Sequence, residues 1–133
     1  MTAVTDSTLN TLGLALRARH LAVGEEPVAE VCRAHRVCLV VLASDGADNT
    51  ARKARRLAQE SGAPAVTLPC TKAELGFALG RASCAVAAVT DAGFAALLLR
   101  KLAASGVTPD EAGAAGQDME EMKNGTEYRR WPV

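Results

Sequence analysis

Val37-Cys-Leu-Val-Val-Leu-Ala43 is a continuous apolar run rich in β-branched residues, and Ser44-Asp45-Gly46 breaks it at once. It has the length of a strand and is too short for a buried helix, so it reads as a central strand covered on both faces. A helix is expected over about 48–61. Asp48 is its expected cap, Ala47, Ala51, Ala54 and Ala58 line one side, and Gly62 with Pro64 ends it.

Outward from that core the same alternation continues. Leu9, Leu12 and Leu16 recur at helical spacing and predict a first helix over roughly 7–19, preceded by a loose arm over 1–6. Leu21-Ala-Val23 reads as a brief strand ending at Gly24. Glu25-Glu26-Pro27 suits a helix N-terminus, where the dipole favours negative charge and Pro loses no hydrogen bond. Val28, Val31 and Cys32 extend the buried face of that helix; His35 either continues that face or, more simply, is a surface or helix-end residue, as His20 is. Ala65-Val-Thr-Leu68 is a short strand, and Thr71-Lys-Ala-Glu74 is a capping-box signature for a helix of about 72–79. Cys84-Ala-Val-Ala-Ala-Val89 is another buried strand. Asp91 opens a last helix with Phe94, Leu97, Leu98 and Leu102 on its buried side. Strands alternating with helices predict an α/β layer architecture with a mixed or mostly parallel sheet.

The chain has 133 residues, one domain's length, and 49% are hydrophobic. Aromatics are only 3%, so small aliphatic side chains must build the core. No apolar run approaches the ~20 residues needed to span a bilayer, and the N-terminus lacks a secretion-signal pattern. A cytoplasmic protein without membrane attachment is expected. Cys32, Cys38, Cys70 and Cys84 show neither a C-x-x-C pair nor a His at zinc-ligand spacing, so they read as reduced structural thiols. Charge is balanced at 15 basic and 15 acidic residues but unevenly placed. Residues 1–105 carry a surplus of three cations. Residues 106–133, rich in Gly, Ala and acids, carry the matching deficit and read as a flexible tail.

Catalytic constellations do not emerge, and the chain reads as a non-enzyme without cofactor or metal. Asp45 and Asp91 each follow an apolar strand, a common catalytic position, but each also precedes a helix, where Asp is an ordinary turn or capping residue. No phosphate-binding glycine loop is present. Arg52, Lys53, Arg55 and Arg56 form a basic face that is either a solvated helix surface or a phosphate contact.

Several stretches carry a family likeness. They are Leu12-Gly-Leu-Ala15, Val23-Gly-Glu-Glu26, Cys38-Leu-Val-Val-Leu-Ala-Ser-Asp45 with Asn49-Thr50, Glu74-Leu-Gly76, Leu79-Gly80, and the run from Val86 to Phe94. In this order, over roughly residues 8–103, the chain resembles the ribosomal protein seven-Ae family, and more narrowly its bacterial YlxQ-type members. The resemblance implies a three-layer α/β/α sandwich with a mixed four-stranded sheet. It also implies binding of kink-turn RNA, a sharply bent internal loop with tandem sheared G·A pairs, in ribosomal or regulatory RNA, with possible ribosome association and no role for DNA.

In the family, the N-terminus of the second helix enters the RNA with a G-x-[NK]-[EQ]-x-x-K pattern. A loop before the last strand packs on a flipped-out nucleotide. Carried over, these elements are Gly24, Glu25, Glu26 and Glu30, and the loop Arg81, Ala82, Ser83 and Cys84; Asp45 is counted among the RNA-binding residues as well. Ala82 and Cys84 would stack on the splayed base. Arg17, Arg19, Arg33, Arg36 and Arg52 would supply backbone attraction. The chain departs from the pattern at three places. Pro27 stands where Glu or Gln is expected, Glu30 where the family has Lys, and His20 where relatives often carry Lys. An acid repels phosphate. These departures motivate an alternative, a diverged member that serves as a protein-interaction module.

Overall fold

A computed structural model describes residues 3–109; the sequence expectations for residues 110–133 lie outside the described residues. Five helices and four strands alternate: α1 Ala3–Arg17, β1 Leu21–Val23, α2 Glu25–Arg33, β2 Leu39–Leu42, α3 Asp48–Ser61, β3 Ala65–Thr67, α4 Lys72–Ala78, β4 Val86–Val89 and α5 Ala92–Ala104. They form one mixed sheet in the order β1-β4-β2-β3. β4 runs antiparallel to both β1 and β2, whereas β2 and β3 are parallel.

The central pair explains the layers. Every residue of β2 and β4 is buried. Along each strand successive side chains point to opposite faces. Leu39, Val41, Ala87 and Val89 therefore join one core, built with α1, α4 and α5. Val40, Leu42, Val86 and Ala88 join the other, built with α2 and α3. The three-layer sandwich with a mixed four-stranded sheet is thus the fold of this chain. Ala54 and Ala58, one helical turn apart, are the buried side chains of α3 and allow it to lie close on the sheet.

Differences from the sequence expectation fall at element ends, where periodicity carries little signal. Residues 3–6 are helical and not a loose arm, because α1 starts at Ala3; it ends at Arg17. His35 takes the helix-end reading and not the buried one: it follows the end of α2 in a left-handed turn with φ 55° and is exposed. Asp48 is the first residue of α3 and does not cap it. Ala47 is the cap position, with no side-chain hydrogen bond, and is exposed. The Thr71–Glu74 capping box forms in both directions, with Thr71 N donating to Glu74 Oε1 at 2.8 Å and Glu74 N to Thr71 Oγ1 at 3.1 Å. At the other boundary Val107 packs on the core, its N donating to Leu102 O at 2.8 Å.

Leu39→Ala in the doubly covered strand is expected to cost about 2–5 kcal/mol. Leu14→Ala, at a side chain 51% exposed on α1, is expected to cost less than about 0.5 kcal/mol. Urea unfolding of the two variants measures both.

Candidate nucleic-acid interface

The strand registers place Val23, Leu42, Thr67 and Val86 at one end of the sheet. β1, β2 and β3 stop there, β4 starts there, and α2, α3 and α4 all begin there. Two backbone hydrogen bonds close this rim. Gly24 N donates to Val86 O at 3.0 Å, and Ala43 N donates to Ala85 O at 2.9 Å. The first residue of β4 and the one before it are thereby held between the start of α2 and the end of β2.

Gly24 has φ 101° and ψ 165°, a conformation confined to glycine because a Cβ would collide with the backbone. It turns the chain from β1 directly into α2. The first amides of a helix have no intrahelical acceptor. Pro27 carries no N–H, so the amides offered here belong to Glu25 and Glu26. The Glu25 carboxylate accepts a hydrogen bond from Thr50 Oγ1 at 3.2 Å, which ties the start of α2 to the first turn of α3. Lys53 lines the same shallow crevice as Glu25 and Thr50.

The loop from Gly80 to Ser83 is held against α4. Arg81 N donates to Gly76 O at 2.8 Å, and Cys84 N to Lys72 O at 3.0 Å. A Cβ on Gly76 would lie 2.5 Å from Ser83 Cα, so only glycine lets the loop backbone lie on the helix. Asp45 Oδ1 accepts from Lys72 N at 2.7 Å, which fixes the turn after β2 to the start of α4. Ser44 Oγ adds a bond to Cys70 O at 2.9 Å.

Of the residues singled out in the sequence, Gly24, Glu25, Glu26, Asp45, Arg81, Ala82 and Ser83 meet at this rim, and Arg52 lies in the second turn of α3, exposed, with its guanidinium on Asn49. Cys84 is not available for stacking: it is 5% exposed, and its Sγ donates to Val86 O at 3.3 Å. It belongs to the core at the start of β4. Glu30 is exposed in the middle of α2. Arg33 and Arg36 are exposed beyond it, and Arg33 is eight residues from Glu25, ~12 Å along the helix. They sit with the opposite end of the sheet, as do Arg17, Arg19 and His20. The His20 ring lies 6.0 Å from that of Phe94.

Asp91 also lies at that opposite end, where its Oδ2 accepts from Phe94 N at 2.9 Å as the cap of α5. Asp45 and Asp91 therefore belong to different ends of the sheet. All four cysteines are free. Burial, then the nearby Glu74, Asp45 and Cys84, push the Cys70 thiol up to about 11, and burial raises Cys84 as well. Both are neutral thiols at pH 7. Among the described residues no three His, Cys, Asp or Glu side chains gather into a metal-binding group, and no helix is long and apolar enough to cross a membrane.

Sequence reading missed the roles of Thr50 and Gly76. A glycine inside a helix costs about 1 kcal/mol against alanine, and that cost is the signal of a close packing partner. The Thr50–Glu25 contact spans 25 residues and leaves no local signature.

Comparison with known proteins places this architecture. Residues 6–99 match the Ribosomal protein L7Ae/L30e/S12e/Gadd45 family. Over 91 residues the chain is 38% identical to the RNA-binding protein YlxQ of Bacillus subtilis (strain 168), covering 68% of this chain and 90% of that protein. A protein of unknown function from Bacillus halodurans C superposes with a TM-score of 0.67 at 34% identity, over 72% of this chain and 96% of that one. The Giardia lamblia 15.5kD RNA binding protein shares the fold, with a TM-score of 0.62 at 20% identity, over 78% of this chain and 91% of that one. The chain belongs to the L7Ae/L30e/S12e/Gadd45 family.

Gly76→Ala forces the Gly80–Ser83 loop off α4. It is expected to cost about 1–3 kcal/mol, read as a lower thermal midpoint. Amide NMR shifts should change mainly over residues 80–85 and little in α5.

Proposed function

We propose that this chain is a non-catalytic RNA-binding protein whose rim engages a sharply bent, kink-turn-type internal loop in ribosomal or regulatory RNA. The carrying observation is the shared rim: the Gly24–Val86 hydrogen bond pins the α2 N-terminus to the first residue of β4, the strand that the 81–83 loop leads into. A helix end offers unpaired N–H groups and positive potential to phosphate or base acceptors. Beside it, the carboxylates of Glu25 and Glu26 can accept from the amino and imino groups of guanine. The exposed Arg81, Ala82 and Ser83 form a short platform for an unstacked base, a mode suited to bent and looped RNA. Family membership and the YlxQ relative, whose description is RNA-binding, support the same reading.

Glu30 works against it. It is exposed on α2, one turn beyond Glu26, and an acid there repels the phosphates that approach the helix. The same acidic stripe favours the alternative reading, a protein-interaction surface.

A mobility-shift titration with a kink-turn duplex and a straight duplex of equal length tests the proposal. The kinked RNA is expected to bind more tightly at moderate salt. Glu30→Lys is expected to tighten it by about thirtyfold at low salt, since a single-charge contact at 4 Å in water is worth ~1 kcal/mol and reversing its sign changes it by ~2 kcal/mol. No preference for the kinked RNA in either protein would contradict kink-turn recognition and favour the protein-interaction role.

A further inference from the structure

We infer that α3 is the phosphate-binding track of this protein: the RNA backbone that leaves the rim runs over Arg52, Lys53 and Arg56 rather than along α2. This rests on the RNA-binding reading above and names the surface that supplies its electrostatic attraction. The two helices lie side by side on one face of the sheet and carry opposite charge. Over Glu25–Arg33, α2 holds three acids and one arginine. Over Asp48–Ser61, α3 holds four cations and two acids. A polyanion crossing this face is repelled by one helix and drawn to the other.

The geometry makes α3 continuous with the rim. Thr50 bonds to Glu25 at 3.2 Å, and Lys53 shares their crevice. Arg52 and Arg56 are one turn apart, ~6 Å along the axis, so they follow one another along the exposed side of the helix. Among the described residues Arg56 pairs with a distant, solvent-exposed acid, Glu60 at 3.9 Å, and such a pair yields readily to a phosphate. Arg55, half-buried, donates to Thr67 Oγ1 at 3.0 Å and stands apart from the exposed trio. A path in the other direction, past the 81–83 loop, meets the groove between α1 and α4. There the charged lining residues, among the described ones, are the two acids Asp6 and Glu74.

The test is the salt dependence of kink-turn and straight-duplex binding by the full chain. It compares wild type with Arg52→Ala, Lys53→Ala and Arg56→Ala, and with Arg100→Ala on α5 as an exposed cation in the other helical layer. Each α3 variant is expected to flatten the slope of log affinity against log salt by about 1. Each should weaken both RNAs several-fold and leave the kinked-to-straight preference unchanged. Arg100→Ala should alter neither slope nor preference. Unchanged slopes in all three α3 variants, or an equal flattening in Arg100→Ala, would overturn the track. A wild-type protein that binds both RNAs equally, with slopes still flattened by the α3 variants, would keep the track and overturn kink-turn recognition. Absence of any RNA binding would overturn both.

Discussion

The antiparallel pairing of β2 with β4 is the constraint on which the rest of the molecule depends. Both strands are buried on both faces, with Leu39, Val40, Val41, Ala87, Ala88 and Val89 fully covered. That burial demands helices on each side, and the alternation of side chains assigns residues to one layer or the other. Because the strands are antiparallel, the end of β2 lies beside the start of β4. β1 and β3 join outside them, and the chain is committed to opening α2, α3 and α4 from one edge of the sheet. The candidate interface is thus a consequence of how the core closes.

That edge is held rigid by backbone more than by side chains. Gly24 and Ala43 donate to the strand-leading segment at 3.0 and 2.9 Å, and Gly76 admits the loop backbone at a separation no Cβ allows. Small residues therefore perform the positioning. Asp45 and Glu25 add side-chain ties to Lys72 N and Thr50, and the exposed charges around them set the local potential. Here the attraction is divided: α2 brings carboxylates and helix-end amides to the rim, and α3 brings guanidinium and ammonium groups beside it. Under the proposed reading, specific contact and phosphate attraction would come from different helices, which would reconcile an acidic α2 with a nucleic-acid-binding surface.

Much of this fold was legible in the chain. The run from Val37 to Ala43, the alanine face of α3, the Thr71–Glu74 box and the Asp91 cap each announce their element through local chemistry. The candidate site was less legible, because it is made of contacts between distant positions. Nothing near Asp45 shows that its carboxylate will serve Lys72 N, 27 residues away. Asp48 looked like a cap because α3 was expected to begin after it. Cys84 is assigned to the loop only by the family resemblance, whereas its apolar neighbours already tie it to the strand that follows, and the structure sides with the neighbours. Arg33 and Arg36 share a helix or its trailing turn with Glu25, and only the length of that helix shows that they reach the opposite end of the sheet.

The central claim is that one edge of the sheet, and not the basic residues at its other end, meets RNA. Mapping amide chemical shifts of the full chain during titration with a kink-turn RNA tests it most directly. The account predicts changes concentrated at Gly24–Glu26, Asn49–Lys53 and Arg81–Ser83, with Arg33, His35, Arg36 and His20 unmoved. Changes centred on Arg17–His20 and Arg33–Arg36, with a silent rim, would contradict it.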